Sequence, residues 1–273
     1  MGRIYNNNLD FFSDEGIRNC NNGYMKKGLE YFNRGLAYDK DNIKLLFNKA
    51  CCLFEMDRID EAETIFKRVI ELCDGEEKTE DVLEFKYESF LFLKDFENAK
   101  MTVQELLEKY PNNTGALLQT AINLNKEIRY EKALEYVDRV LEIDSSDYNA
   151  ILIKCEILMD MEKYDLAKKY LDKAFEMNPD FSYVWYLKGE YESKAFSDYE
   201  SAFKYYDKAI QMEPKGSKYF YDAGCCLILL GRNDEAKEYF RKIFELSPEE
   251  YGSERYELLD KIFDIIGNDF AVQ

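Results

Sequence analysis

Seven cysteines, Cys20, Cys51, Cys52, Cys73, Cys155, Cys225 and Cys226, are the strongest nucleophiles in this sequence, and no histidine accompanies them. A thiol or hydroxyl nucleophile needs an activating base, most often histidine, so nucleophilic catalysis lacks its usual partner. No Cys-x-x-Cys spacing occurs. Neighbouring residues on a helix point about 100° apart, so neither Cys51-Cys52 nor Cys225-Cys226 grips one metal ion easily. Reduced thiols used as small hydrophobes are the better reading. Acid–base work by paired carboxylates would have 55 Asp and Glu to draw on. They fall at solvent-facing phases of amphipathic segments and read as a charged surface. Phosphate-cradling glycine patterns are absent as well. The expectation is a non-enzyme with no catalytic residues, no metal and no cofactor.

The surroundings of these residues narrow the partner. The formal net charge is −18, from 37 basic and 55 acidic residues, which disfavours nucleic acid and anionic membranes as partners. Met1 to Phe12 lacks a signal-peptide core, and Asn6 stands where a myristoylation signal needs Ser or Thr, so a cytoplasmic protein is expected. Apolar residues make up 46% of the chain and aromatics 15%, enough to fold.

The elements that position everything are repeated. The four prolines, Pro111, Pro179, Pro214 and Pro248, are separated by 68, 35 and 34 residues. A small residue keeps the same beat at Gly28, Ala62, Ala99, Ala133, Ala167, Ala202 and Ala236. Four positions on stand Phe32, Phe66, Val103, Val137, Leu171, Tyr206 and Phe240, and three further Gly35, Val69, Leu106, Val140, Ala174, Ala209 and Ile243. That i, i+4, i+7 pattern is one face of a helix whose small residue lets a second axis approach. A second series, Phe12, Leu46, Leu83, Leu117, Ile151, Trp185 and Phe220, marks the helix before it. A third small-residue phase, Ala50, Ala121, Cys155, Gly189 and Gly224, fits close helix packing. Each unit therefore reads as helix, short turn, helix, with proline just after the second helix. Gly23 and Gly231 fall in the intra-repeat turn.

The run Trp185-Tyr-Leu-Lys-Gly189, then Ala202, Tyr206, Ala209 and Pro214, resembles the tetratricopeptide repeat consensus, as do Gly224, Gly231, Ala236, Phe240, Ile243 and Pro248. The resemblance implies an all-α, right-handed superhelical solenoid of about seven repeats, one array over residues 1–273. The repeats are placed near 9–42, 43–79, 80–113, 114–147, 148–181, 182–216 and 217–250, with a C-terminal capping helix over 253–266. Three extra residues lie within 74–79 and one near Phe196-Ser197, both read as loop insertions.

Through the same resemblance, the first helix of each repeat lines a concave groove that holds a protein or peptide partner. Its expected peptide-binding residues are Phe47, Asn48, Glu84, Glu88, Gln119, Ile122, Glu156, Tyr183, Tyr186, Glu190 and Tyr221. Cys51, Lys218, Asp222 and Cys225 share that face. The Lys, Asn and Arg clamp that some relatives use for a C-terminal carboxylate is missing, since Lys44 and Asn48 stand among acidic neighbours. Tyr183, Tyr186 and Tyr221 are expected to form a rigid aromatic cluster. The function expected is a protein–protein interaction scaffold for a basic segment with apolar anchors, as a monomer. The alternative is a self-assembling structural protein that uses the repeat ends, including Ile265, Ile266, Phe270 and Val272, or the convex surface.

Overall fold

A computed structural model describes residues 2–246 of the chain. Among the described residues there are helices and turns and no strand. The helices pair along the chain: α1 (Gly2–Asn21) with α2 (Met25–Leu36), α3 (Ile43–Glu55) with α4 (Ile59–Gly75), α5 (Glu80–Phe92) with α6 (Phe96–Lys109) and α7 (Thr114–Lys126) with α8 (Tyr130–Ile143). The series continues with α9 (Tyr148–Asp160) and α10 (Tyr164–Met177), α11 (Ser182–Phe196) and α12 (Tyr199–Met212), and α13 (Ser217–Leu229) and α14 (Asn233–Leu246). Six of the expected repeat boundaries, at 43, 80, 114, 148, 182 and 217, coincide with the first residue of a helix. Pro248, the C-terminal apolar residues and the closing helix expected over 253–266 lie outside the described residues.

Side chains start many of the first helices. Asn42, Asp147 and Asn113 accept the N–H of the residue three positions on, at 3.1, 2.7 and 2.8 Å, so orphan donors of α3, α9 and α7 are satisfied. Six of the seven intra-repeat turns are built alike, and all seven share one feature. One residue takes a positive φ: Gly23, Asp57, Lys94, Ile128, Glu162, Ser197 and Gly231 in order. The next residue donates its N–H five positions back, from Tyr24 to Asn19, Arg58 to Leu53, Asp95 to Phe90, Arg129 to Leu124, Lys163 to Leu158 and Arg232 to Leu227, at 2.8 to 3.0 Å. This is the left-handed helix stop in which glycine is the cheapest residue, yet five of the seven positions use another. In the sixth repeat Asp198 reaches back to Glu192 at 3.2 Å, so the turn closes over one residue more. The single extra residue lengthens the helix before that turn, since α11 has 15 residues where α9 and α13 have 13.

The three extra residues near 74–79 correct the sequence reading. They are not loop: α4 runs for 17 residues where α6, α8, α10, α12 and α14 have 14. The insertion extends the helix, and Asp74 at its end pairs with Lys86 of α5 at 2.6 Å.

The chain divides into two compact units, residues 1–120 and 121–273, with the division inside α7. In the first unit, Phe12, Phe32, Leu45, Phe47, Ala50, Phe66 and Val69 form the core of α1 to α4, and Leu83, Tyr87, Val103 and Leu106 that of α5 and α6. In the second, Cys155, Leu171, Tyr186, Tyr206, Ala209, Phe240 and Ile243 belong to one continuous core. Size is traded across three of the helix pairs: Gly16 faces Phe32, Gly189 faces Tyr206 and Gly224 faces Phe240, and a Cβ at any of these glycines would stand within 2.8 Å of the ring. No helix of the described residues is long and apolar enough to cross a membrane.

Candidate functional site

In the second unit, the first helices α9, α11 and α13 carry polar residues in register. On α9, Glu156 and Asp160 are one turn apart; on α11, Tyr183, Glu190 and Lys194 follow one line; on α13, Lys218, Asp222 and Cys225 do the same. Glu156, Glu190, Asp222 and Tyr183 are half-buried, while Lys194 and Lys218 are exposed.

These groups interlock. The Lys194 ammonium bridges Asp160 at 2.8 Å and Glu190 at 3.3 Å. The other Asp160 oxygen accepts from the Asn125 amide at 2.9 Å. The Tyr183 hydroxyl favours the charged form of Glu156, and the Tyr186 hydroxyl that of Asp222. Lys218 stands 4.2 Å from the centre of the Tyr186 ring and 5.4 Å from that of Tyr183.

Carboxylates outnumber cations here, and burial deprives them of water. Burial pushes the Glu156 carboxyl up to about 7; Glu190 and Asp160 add to this, while Lys218 and the Tyr183 hydroxyl oppose it. Burial followed by Glu190 pushes Asp222 up to about 6, against the Tyr186 hydroxyl and Lys218. Burial disfavours the charge on Lys194, but Glu190 and Asp160 outweigh it and hold the group above the ordinary lysine range. Near neutral pH the cluster is thus a set of acids that have not all surrendered their protons.

The aromatic part of the site departs from the sequence reading. Tyr186 is 1% exposed, its ring stacked between Tyr183 and Tyr219 at 5.3 Å from each and 5.5 Å from Tyr206. It is core, and only its hydroxyl reaches the polar cluster. Tyr221 turns elsewhere, meeting Phe240 edge-on at 6.0 Å. The ring beside Tyr183 and Tyr186 is Tyr219, the residue two positions earlier on α13. Ile122, on α7, is half-buried.

The first unit spreads its expected groove residues more widely. Phe47 is buried among Phe66, Phe85 and Phe92 with ring centres 5.1 to 6.3 Å away, so it also serves packing. The Asn48 amide donates to Ser13 Oγ at 3.1 Å, and Glu84 accepts from Asn113 at 2.5 Å. Burial and then Glu84 raise the Glu88 carboxyl. Gln119 is half-buried on α7. Glu88 in turn adds to the burial that pushes the Cys51 thiol up to about 12.

Sequence reasoning missed Asp160 and Lys194. Each lies four residues beyond a residue it did name, Glu156 and Glu190, so extending the face by one helical turn finds both. Among the described residues no group of three or more Cys, Asp or Glu is arranged to hold a metal ion.

Models of the tetratricopeptide repeat family match residues 43–74, 88–113, 124–191, 182–215 and 217–250. A comparison with curated proteins finds no match. Among solved structures, a tetratricopeptide repeat protein from Parabacteroides merdae shares 15% identity over 94% of this chain and 98% of its own, with a TM-score of 0.65. The human IFIT1 dimer with m7Gppp-AAAA is similar over 93% of this chain and 64% of its own, at 16% identity and a TM-score of 0.64. MamA from Desulfovibrio magneticus aligns over 63% of this chain and 97% of its own at 22% identity, with a TM-score of 0.45. At these identities the structural likeness concerns the fold. With the family models spread over six of the seven helix pairs, the chain belongs to the tetratricopeptide repeat family.

Proposed function

We propose that the chain is a non-catalytic protein-interaction scaffold, one array of repeats, whose first-helix face of repeats five to seven takes a basic segment of a partner protein. The observation that carries this reading is the group Glu156, Glu190 and Asp222, set half-buried on three successive first helices with too few cations to neutralise it. A lysine or arginine entering there lowers the carboxyl pKa values and gains charge-assisted hydrogen bonds. Tyr183, half-buried at the edge, offers an aromatic wall for the aliphatic stem of that residue. Ile122, half-buried on α7 of the same unit, would extend the contact. The net charge of −18 favours a basic protein segment over nucleic acid, including capped RNA of the kind present with human IFIT1.

Capture from native lysate with wild type and with a Glu156→Gln, Asp222→Asn double variant tests the assignment. Partners bound by wild type are expected to be lost from the variant, and binding is expected to strengthen as pH rises through about 7, where Glu156 gives up its proton. Equal retention by both proteins removes the site.

A second reading is self-assembly. Its support is a set of large apolar side chains at the intra-repeat turns, with Phe96, Ile128 and Phe196 exposed by 64, 72 and 64%. Light scattering on a concentration series separates the two, a persistent monomer removing this second reading.

A further inference from the structure

Cys20 on α1 and Cys52 on α3 bring two sulfur atoms together from successive repeats. The Cys20 thiol donates to Cys52 Sγ across 3.2 Å, closer than ordinary van der Waals contact between sulfurs. Cys52 donates onward to the Met25 carbonyl at 3.4 Å, with Met25 Sδ 4.0 Å away. The local sequence makes room for this contact. Gly28 stands where each later repeat has alanine, and a Cβ there would lie 2.3 Å from Cys20 Sγ. The first repeat has given up its helix-packing alanine at the position the Cys20 sulfur occupies.

Access is provided on the same side. Cys20, Met25, Asn48, Cys51 and Cys52 line a cavity of about 410 Å³. Cys20 is half-buried and Cys52 buried behind it. All seven cysteines are free thiols.

We propose that Cys20 and Cys52 are a reversible oxidation site, closed to a disulfide by a small hydroperoxide that enters this cavity. The Cys20 sulfur, as thiolate, attacks the terminal oxygen of the hydroperoxide. An S–O bond forms while the O–O bond breaks, and the leaving oxygen takes a proton and departs as alcohol, or as water when the oxidant is hydrogen peroxide. Cys52 Sγ then attacks Cys20 Sγ and displaces the hydroxyl, which leaves as water with the Cys52 thiol proton. The two thiols lose two electrons and two protons, and the hydroperoxide accepts both. The sulfurs must approach by about 1 Å to reach bonding distance. Burial, and the neighbouring Cys20, push the Cys52 thiol up to about 12, so Cys52 keeps its proton until the disulfide forms. The new bond staples α1 to α3 and so ties the first repeat to the second.

The test treats the folded full-length chain with hydrogen peroxide, blocks remaining thiols with iodoacetamide and digests with trypsin without reduction. Cys20 falls in peptide 19–26, while Cys51 and Cys52 share peptide 50–58, so fragmentation must locate the bridging sulfur. The expected product is a 19–26 to 50–58 cross-link through Cys52 that dithiothreitol reverses. It should persist in Cys51→Ser and vanish in Cys52→Ser, with circular dichroism confirming that both variants are folded. Alkylated or singly oxidised Cys20 without a cross-link overturns the proposal. So does a bridge to Cys51, or an indiscriminate mixture of pairings among the seven thiols.

Discussion

Gly189 lies directly beneath the ring of Tyr206: a methyl group on its Cα would stand 2.5 Å from Cε1 and 2.6 Å from Cδ1. The pair joins α11 to α12 of the sixth repeat. The absence of one side chain is therefore what allows the presence of the other.

Replacing Gly189 with alanine is expected to destabilise the chain by about 1–3 kcal/mol, the usual cost of forcing a methyl group into a filled core. Gly75, at the end of α4, has open space around its Cα, so Gly75→Ala is expected to be neutral or slightly stabilising. Denaturant titration of the two variants measures the contrast, and equal effects would remove the steric account.

The turns offer the opposite experiment. Ile128 holds a φ of 61° with a β-branched side chain that is 72% exposed. The left-handed conformation costs about 1–2 kcal/mol in an L-residue, and glycine's extra flexibility returns part of that. Ile128→Gly is thus expected to stabilise by about 0.5–1 kcal/mol, and Gly231→Ala to destabilise by about 1 kcal/mol. Equilibrium unfolding curves decide the signs.

Tyr186 is a folding residue before it is a recognition residue. Truncation to alanine empties a ring site walled by Tyr183, Tyr206 and Tyr219 and is expected to cost about 3–5 kcal/mol. Tyr186→Phe keeps the stack and removes only the hydroxyl that favours the Asp222 charge, and is expected to cost far less than truncation. Loss of partner binding in Tyr186→Ala would carry no information about the groove unless the variant is shown to be folded.

The acidic cluster makes stability depend on pH in a stated direction. Glu156 is raised to about 7 from 4.5 and Asp222 to about 6 from 3.8, so the folded chain holds protons that the unfolded chain has released. The folded state is favoured most below the unfolded pKa values, and this contribution is lost as pH rises through about 6 and 7. Glu156→Gln removes the penalty. Its melting temperature is therefore expected to gain on wild type between about pH 5 and about pH 8, as thermal scans at both values would record. A difference that is constant across that range would mean Glu156 titrates normally.

The repeat was legible because the small residue and its bulky partner recur at fixed phase, and that pattern is what brings two helix axes together. Residues 62, 66 and 69 of α4, like 236, 240 and 243 of α14, are all buried as the spacing requires. The site was legible only in part. A first helix touches its own partner and a neighbouring repeat, so apolar side chains run round most of α9 and α11, and the sequence pattern does not mark the open side. Tyr186 and Phe47 were assigned to the groove for this reason, and both rings are core. The extension of α4 was hidden because the stretch Asp74-Gly-Glu-Glu-Lys-Thr79 has the composition of a loop, while its first residues continue the helix.

That extension carries a consequence for how such a chain can change length. Three added residues are close to one full turn of 3.6, so α4 leaves its last turn facing nearly the same way as its shorter counterparts, and α5 can dock beyond it. One added residue inside a helix swings the exit by about 100°, and in the sixth repeat α11 runs for 15 residues where α9 and α13 have 13, with the corner closed by the longer reach from Asp198 to Glu192. Insertions in this chain thus lengthen helices, and the corner that follows adjusts to the direction in which the longer helix leaves.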